Sequence, residues 1–371
     1  MIPGRERVSR ARRRLLDLVR RAERRPQSHA LPGPRTTRDD VRAAYRLLLG
    51  REPDPEGFAF WTAKRGTMQS TELARQFLHS VEYRKRWLAQ LGRAADFAKP
   101  HAPPPTWSPL ASQLVTQAQI DSALYWRWCD EIGEAPRHHR KQWEYVYLLQ
   151  ALDSAGMLEP GTRGLGFGVG REPTVSVLAK RGCRLLVTDL AAEAAARVGW
   201  RGSLQHSSSL GEIHHPEICD HATFRANVEH RVQDMRAIDA DLKRAGFDFV
   251  WSLCALEHLG SLEEGLRFVR ESLACVRPGG LAVHTTEFNV SSDAATIERG
   301  ATVLYRRRDV EALARELARE GHDVQLNLHP GDGPLDRYYD VPPYASDVQL
   351  KIEVGAFVTT SLGLVIRARG G

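Results

Sequence analysis

The sequence predicts an α/β protein in which a parallel sheet of seven strands is wrapped by helices and preceded by a small all-α domain. Three observations lead there. Glycine falls at every second position from 164 to 170, between an apolar helical run and a segment reading as helix then strand. Short apolar runs recur near residues 162–166, 184–189, 228–233, 247–253, 281–287, 324–328 and 357–367, and strands alternating with helical stretches are the mark of a parallel sheet. Proline-rich stretches at 26–34 and 99–110 divide the chain, because proline resists both helix and sheet. The domains expected are a basic tail and linker (1–35), a helical domain (36–95), a Pro-rich linker (96–118) and the α/β domain (119–371).

Length and composition bound the function. At 371 residues, two domains are expected. Five scattered cysteines form no C-x-x-C pair, which suggests neither a disulfide framework nor a zinc site and fits a reducing cytoplasm. No apolar run reaches the length of a membrane span, and the first residues lack the apolar core of a signal peptide. The net charge of +6 is concentrated: residues 1–25 hold ten arginines against Glu6, Asp17 and Glu23, a local +7, leaving about −1 for the rest (6 − 7). The body is therefore not a nucleic-acid binder. The tail carries Leu15, Leu18 and Val19 on one helical face among the arginines. It reads as a solvated tail or as a basic amphipathic helix in peripheral contact with anionic membrane.

Within 36–90, Thr37-Arg-Asp-Asp40 can cap a helix that Gly50 ends, a second helix begins near Glu56, and Ser70-Thr71-Glu72 opens a third. The words YRLLLGREPDPEGFAFW and ELARQFLHSVEYR resemble a small helical domain of bacterial surface and polysaccharide-related proteins, itself similar to phycobilisome linker repeats. That resemblance implies a packing or docking module.

The chain is organised around Arg163-Gly-Leu-Gly-Phe-Gly-Val-Gly170, followed by a helical run from 174 to 181 and an apolar strand ending in Asp189. Strand, glycine turn, helix, strand and acid form a unit that binds a nucleoside at the carboxyl ends of parallel strands. A dinucleotide fingerprint needs G-x-G-x-x-G. Counted from Gly164 or Gly166, the third glycine is replaced by Val169 or Arg171. The pattern G-x-G-x-G-x-G instead resembles the first motif of class I S-adenosylmethionine-dependent methyltransferases, usually (D/E)-x-G-x-G-x-G. Gly164 stands where that motif has its acid, so the carboxylate expected near the methionine ammonium must come from another group. Val276-Arg-Pro-Gly-Gly280, between a helix and a strand, is a recurrent word of the same family.

The resemblance covers roughly residues 140–371 and implies a Rossmann-like fold with S-adenosylmethionine as cofactor. It places Gly164, Gly166, Gly168, Gly170, Asp189, Leu190, Asp234, Met235 and Ser252 at the cofactor. Asp189 would accept the ribose hydroxyls and Asp234-Met235 would meet the adenine. The exit of the fourth strand, Ala255-Leu-Glu-His-Leu259, would face both cofactor and acceptor. A hydroxyl acceptor needs a base. Candidates are His258 first, since histidine titrates near neutrality, then Glu257, His284 and Glu287. Arg140 and Trp143, on the aromatic-rich helix before the first strand, and Asp332, Asp336 and Arg337, in the loop between the last two strands, are expected at the acceptor. The cluster of His214, His215, Cys219, Asp220 and His221 fits no standard metal-ligand spacing, so no metal is expected; a lid loop is the preferred reading.

VHTTEFNVSS and PGDGPLDRYYD resemble a bacterial methyltransferase subgroup found beside glycan-biosynthesis enzymes. The function expected is O-methylation of a sugar hydroxyl on a glycan or its precursor. The alternatives are a small-molecule natural-product methyltransferase or a cofactor-binding docking protein without turnover.

Overall fold

The structure, a computed structural model, describes residues 35–65, 67–78, 80, 82–83, 97, 102–191, 207, 209–341, 344 and 348–370. The chain divides into two compact units, Met1–Gly92 and Arg93–Gly371. The basic amphipathic segment at 1–25 and the first proline-rich stretch lie outside the described residues.

In the first unit, helix α1 (Arg38–Ala44) is opened by the Thr37/Asp40 capping box and runs into a wider π turn at Tyr45–Leu49. Gly50 ends it in the left-handed conformation (φ 58°). Asp54 caps α2 (Pro55–Ala63), with proline at its first turn, and α3 (Ser70–Leu78) follows. Val41, Ala44, Tyr45, Leu49, Leu73 and Phe77 form its small core.

The second unit holds the sheet. Its strands are β1 (Ser112–Leu114), β2 (His138–His139), β3 (Arg163–Phe167), β4 (Arg184–Asp189), β5 (Val228–Val232), β6 (Phe247–Leu253), β7 (Val276–Asn289), β8 (Leu326–Asn327), β9 (Val348–Gln349), β10 (Lys351–Val354) and β11 (Phe357–Arg367). Its helices are α4 (Gln117–Ile120), α5 (Ala123–Glu131), α6 (Arg140–Ser154), α7 (Thr174–Lys180), α8 (Leu210–Ile213), α9 (His221–Asn227), α10 (Ala240–Arg244), α11 (Leu262–Leu273) and α12 (Arg307–Arg319). The strand order is β5-β4-β3-β6-β7-β11-β1-β8, with β10 also on β11. From β5 to β7 the neighbours are parallel; β11 runs antiparallel to β7 and β1. The seven expected strands are present. β1 and β10 are additional, and β2 pairs with β9 in a separate small sheet.

The expected linker at 96–118 is corrected by this topology. Ser112–Leu114 pairs with both β11 and β8. Trp107 is buried and gives its indole N–H to the Gln119 carbonyl at 3.1 Å. A polar triplet, Ser-Gln-Leu, carries no strand signal by itself; it becomes a strand because two neighbours offer their edges.

Two cores flank the sheet. One gathers α5, α6 and α7 over Phe249 and Trp251; the other gathers α10, α11 and α12 over Leu165, Phe167 and Val250. Side chains alternate across a strand, so neighbours on β6 serve opposite cores. This also explains two glycines. A Cβ at Gly164 would lie 2.4 Å from the Phe249 ring, and one at Gly166 would lie 2.5 Å from the Trp251 ring. These two positions need glycine for packing between β3 and β6.

Candidate active site

The carboxyl ends of β3, β5 and β6 come together around one glycine turn. After β3 the chain turns through Gly168 (φ 60°) and Gly170 (φ 57°), a conformation that side chains resist. A Cβ at Gly168 would lie 3.0 Å from the Ala255 methyl and 3.2 Å from the Met235 sulfur. The ends of three strands thus meet over bare backbone. Asp189, buried at the end of β4, accepts from the Leu190 N–H at 2.8 Å and from the Ser207 N–H at 3.0 Å. Asp234, past β5, accepts from the Arg236 guanidinium at 2.7 Å and from its N–H at 2.9 Å. Arg236 holds the Asp234 carboxyl below the usual carboxylate range.

A second, more charged assembly lies at the ends of β6 and β7 under α6. Cys254, just past β6, is left-handed (φ 46°) without being glycine, a costly conformation that concentrates at functional sites. Its N–H donates to the Thr285 carbonyl (3.1 Å) and hydroxyl (3.0 Å). That hydroxyl donates to Glu144 at 3.0 Å, and the Cys254 thiol lies 3.1 Å from the other Glu144 oxygen. Burial, reinforced by Glu144 and Glu257, pushes the thiol well above its ordinary value, so it stays an S–H donor. Glu144 also accepts from Ser361 on β11.

Beside this network, Glu287 pairs with Arg140 and accepts from the Thr359 hydroxyl at 2.9 Å, with Lys141 at 3.7 Å. Burial alone pushes the Glu287 carboxyl up, but Arg140 and Lys141 more than offset it and hold the carboxyl below its ordinary value. Glu257, fully buried, accepts from the Thr286 hydroxyl at 3.0 Å through one oxygen. Its other oxygen has no hydrogen-bond partner among the described residues; it lies 3.8 Å from His258 Nε2. His258 Nδ1 lies 2.7 Å from the Ala301 carbonyl. A carbonyl only accepts, so Nδ1 is the donor in this bond and Nε2 is the ring nitrogen on the Glu257 side.

Residues 165–284 match the model of a family described as a methyltransferase domain. This part of the chain is an S-adenosylmethionine-dependent methyltransferase domain. No curated protein matches the chain in sequence. Among solved structures it is similar to a putative sarcosine dimethylglycine methyltransferase from Galdieria sulphuraria (15% identity, TM-score 0.37, 61% of this chain and 85% of that one). It is also similar to the N-terminal domain of EvdMO1, solved in the presence of SAH and D-fucose (18%, 0.36, 64% and 86%), and to N-methyltransferase NodS from Bradyrhizobium japonicum WM9 (14%, 0.35, 62% and 96%).

The methyltransferase domain has a cradle that suits its cofactor. At Gly168 a Cβ would fill the space between Ala255 and Met235, and a buried acid, Asp189, stands at the end of the adjacent strand. An adenosine needs such an apolar slot next to a ribose-binding carboxylate. Asp189 and Asp234 already hold protein donors, but each ionised carboxylate accepts at about four lone-pair sites.

Several expected site residues fall elsewhere. His284 is fully buried on β7 and faces α11, opposite to Thr285. Its Nδ1 lies 2.8 Å from the Ser252 hydroxyl and its Nε2 lies 3.1 Å from the Ser272 hydroxyl. Burial pushes it down to about 3. It is a neutral core residue, and Ser252 is its partner rather than a cofactor contact. Trp143 is also core: it stacks on Tyr147 (4.8 Å) and donates to the Gln119 side chain at 3.0 Å. Asp336 is buried and accepts from the Gln117 (2.8 Å) and Gly333 (2.9 Å) N–H groups. It clamps its loop, while Asp332 and Arg337 are exposed.

The His214–His221 cluster is tied up in its own loop. His214 Nε2 lies 2.7 Å from the Cys219 carbonyl, His215 Nδ1 lies 3.0 Å from Glu217, and Asp220 caps α9. Among the described residues, the side chains with metal-ligand atoms close together are instead Cys254, Glu257 and Glu287, within 4.8 Å. Arg140 and Lys141 already meet the charge of Glu287.

Sequence reasoning named Arg140 and Glu287 but missed their network: Lys141, Glu144, Cys254, Thr285, Thr359 and Ser361. An acid at position 144 inside an apolar helical run was the available signal. No helix among the described residues is long and apolar enough to cross a membrane.

Proposed function

We propose that the domain methylates a hydroxyl group, and that the acceptor is a sugar of a glycan or glycan precursor. The observation that carries this reading is the His258–Glu257 pair. A hydroxyl is a poor nucleophile until its proton is removed. His258 is anchored through Nδ1–H to Ala301, with its Nε2 on the side of the buried Glu257.

When bound, S-adenosylmethionine supplies an electrophilic methyl group on a sulfonium. In the proposed site, Gly168, Gly170, Asp189, Leu190, Asp234 and Met235 hold the cofactor. The acceptor is aligned for in-line attack, which by itself lowers the barrier substantially. Nε2 of His258 would take the hydroxyl proton, and Glu257 would offset the charge on the resulting imidazolium. Arg140, Lys141, Glu144 and Glu287 line the acceptor side. A lining of fixed donors and acceptors suits a polyol, because each buried polar group needs a hydrogen-bonding counterpart.

Labelled methyl transfer tests the acceptor. With sugar nucleotides and extracted glycans offered beside phenolic and amine acceptors, base-stable label should enter the sugars. Label confined to the phenols or amines would favour the natural-product reading and remove the glycan assignment. The helical first unit and the arginine-rich tail are proposed to dock the enzyme on a partner or an anionic membrane.

A further inference from the structure

The turn after Gly170 holds a further carboxylate. Glu172 is buried at the start of α7 and accepts from the Thr174 hydroxyl at 2.9 Å. The groups that act on it come from three other elements: the Trp251 indole on β6, Glu144 on α6 and Asp189 at the end of β4. Tyr145 on α6 also faces it. Two of these are carboxylates, and Thr174, Trp251 and Tyr145 are neutral. Among the described residues no cationic side chain pairs with Glu172, and the adjacent Arg171 turns away to Glu212 at 2.9 Å. Buried acids of proteins are normally paired or hydrogen-bonded to saturation. This one has acids for neighbours and no cation.

Gly164, where an acid is expected from the glycine motif, cannot carry one: a Cβ there would meet the Phe249 ring at 2.4 Å. Packing has removed the acid from β3, while the turn at the same end of β3 supplies Glu172. The cofactor brings the missing cation, an α-ammonium at its methionyl end.

We propose that Glu172 replaces the acid absent at Gly164 and binds the α-ammonium of the cofactor. The assignment rests on the cofactor lying across the ends of β3 and β4. Burial, together with Glu144 and Asp189, pushes the free carboxyl up to about 8. Below that pH it is largely protonated, and pairing with an ammonium requires that the proton leave to solvent. Affinity for a ligand carrying the ammonium therefore rises from pH 6 to pH 8, with proton release.

The test is calorimetry on the full chain with two probes: S-adenosylhomocysteine, which has the ammonium, and 5′-methylthioadenosine, which lacks the amino-acid end. Wild-type protein at pH 7 should release close to one proton on binding the first and none on binding the second, measured in buffers of different ionisation enthalpy. Glu172→Gln keeps an acceptor for Thr174. It should lose at least tenfold in affinity for S-adenosylhomocysteine, lose its proton release, and bind 5′-methylthioadenosine as before. Glu172→Asp should fall between. Equal loss for both probes, or for neither, overturns the proposal, as does wild-type binding of S-adenosylhomocysteine without proton release. Should wild type bind neither probe, the cofactor placement itself fails and the proposal with it.

Discussion

The two assemblies at the strand ends are built by different means. The proposed cofactor side, at the ends of β3, β4 and β5, is made from backbone conformation, apolar contact and single acids at strand ends. Gly168 and Gly170 are left-handed, and Met235 and Ala255 close on the space where a Cβ would be. The proposed acceptor side is a network of side chains from α6, β6, β7 and β11, with partners as far apart in sequence as Glu144 and Ser361. The first kind of site depends on local geometry, so one residue can be changed with a local loss. In the second kind, each member keeps the others ionised or oriented, and losses there are not additive.

The largest expected effect separates chemistry from cofactor binding. His258→Ala should lower kcat by about 10²–10⁴-fold, the span for losing a general base. Affinity for S-adenosylhomocysteine should change by less than about twofold, because its contacts lie on other strands. Single-turnover rates and calorimetry read the two quantities; near wild-type turnover would hand the role to Glu257.

The converse applies on the cofactor side. Asp189→Ala should weaken cofactor binding by about 1.5–3 kcal/mol, the range for losing a hydrogen bond to a charged group. Unchanged affinity would place the ribose elsewhere, and tight NAD binding in the same experiment would reverse the cofactor assignment.

Gly164→Ala sharpens the comparison within the glycine run. A methyl group placed 2.4 Å from the Phe249 ring should destabilise the domain by about 1–3 kcal/mol, as overpacked cores do. Cofactor affinity of the folded protein should stay within about threefold, against a clear loss for Gly168→Ala, which forces a side chain into a left-handed turn. Equal cofactor losses in the two variants would return Gly164 to the ligand cradle.

The smallest effect concerns His284. Its folded value of about 3 lies below the ordinary histidine value of 6.5. Between those values the unfolded chain binds the extra proton, so this contribution to stability is complete above pH 6.5 and falls as pH drops towards 3. From pH 6.5 to pH 5 the loss is at most about 2 kcal/mol, since one pH unit per proton is about 1.4 kcal/mol. The difference between wild type and His284→Gln in denaturant titrations at the two pH values measures it. Glu172, raised by burial, contributes in the opposite direction in both proteins and cancels in that difference. Equal pH dependence in the two proteins would mean His284 is protonated in the fold and exposed to solvent.

The sequence by itself determined the fold class and the positions of the seven main strands along the chain, and it singled out Asp189 and Asp234 as acids at strand ends. These are carried by patterns local to the chain: a glycine turn between apolar strands, an acid at a strand end, a capping box before a helix. Arg140 and Glu287 were also singled out, the first on an aromatic-rich helix and the second at the end of a strand. Only the tertiary structure decided which neighbours on one strand serve the site and which serve the core. His284 and Thr285 are adjacent, yet the pleat sends one to α11 and the other to Glu144. It likewise decided that Ser112–Leu114 is a strand, that Trp143 and Asp336 are structural, and that Cys254 is strained against Thr285. The physical reason is the same in each case. A buried polar group is defined by the partner that satisfies it, and those partners, Glu144 with Ser361 or Asp336 with Gln117, stand more than two hundred residues apart in the chain.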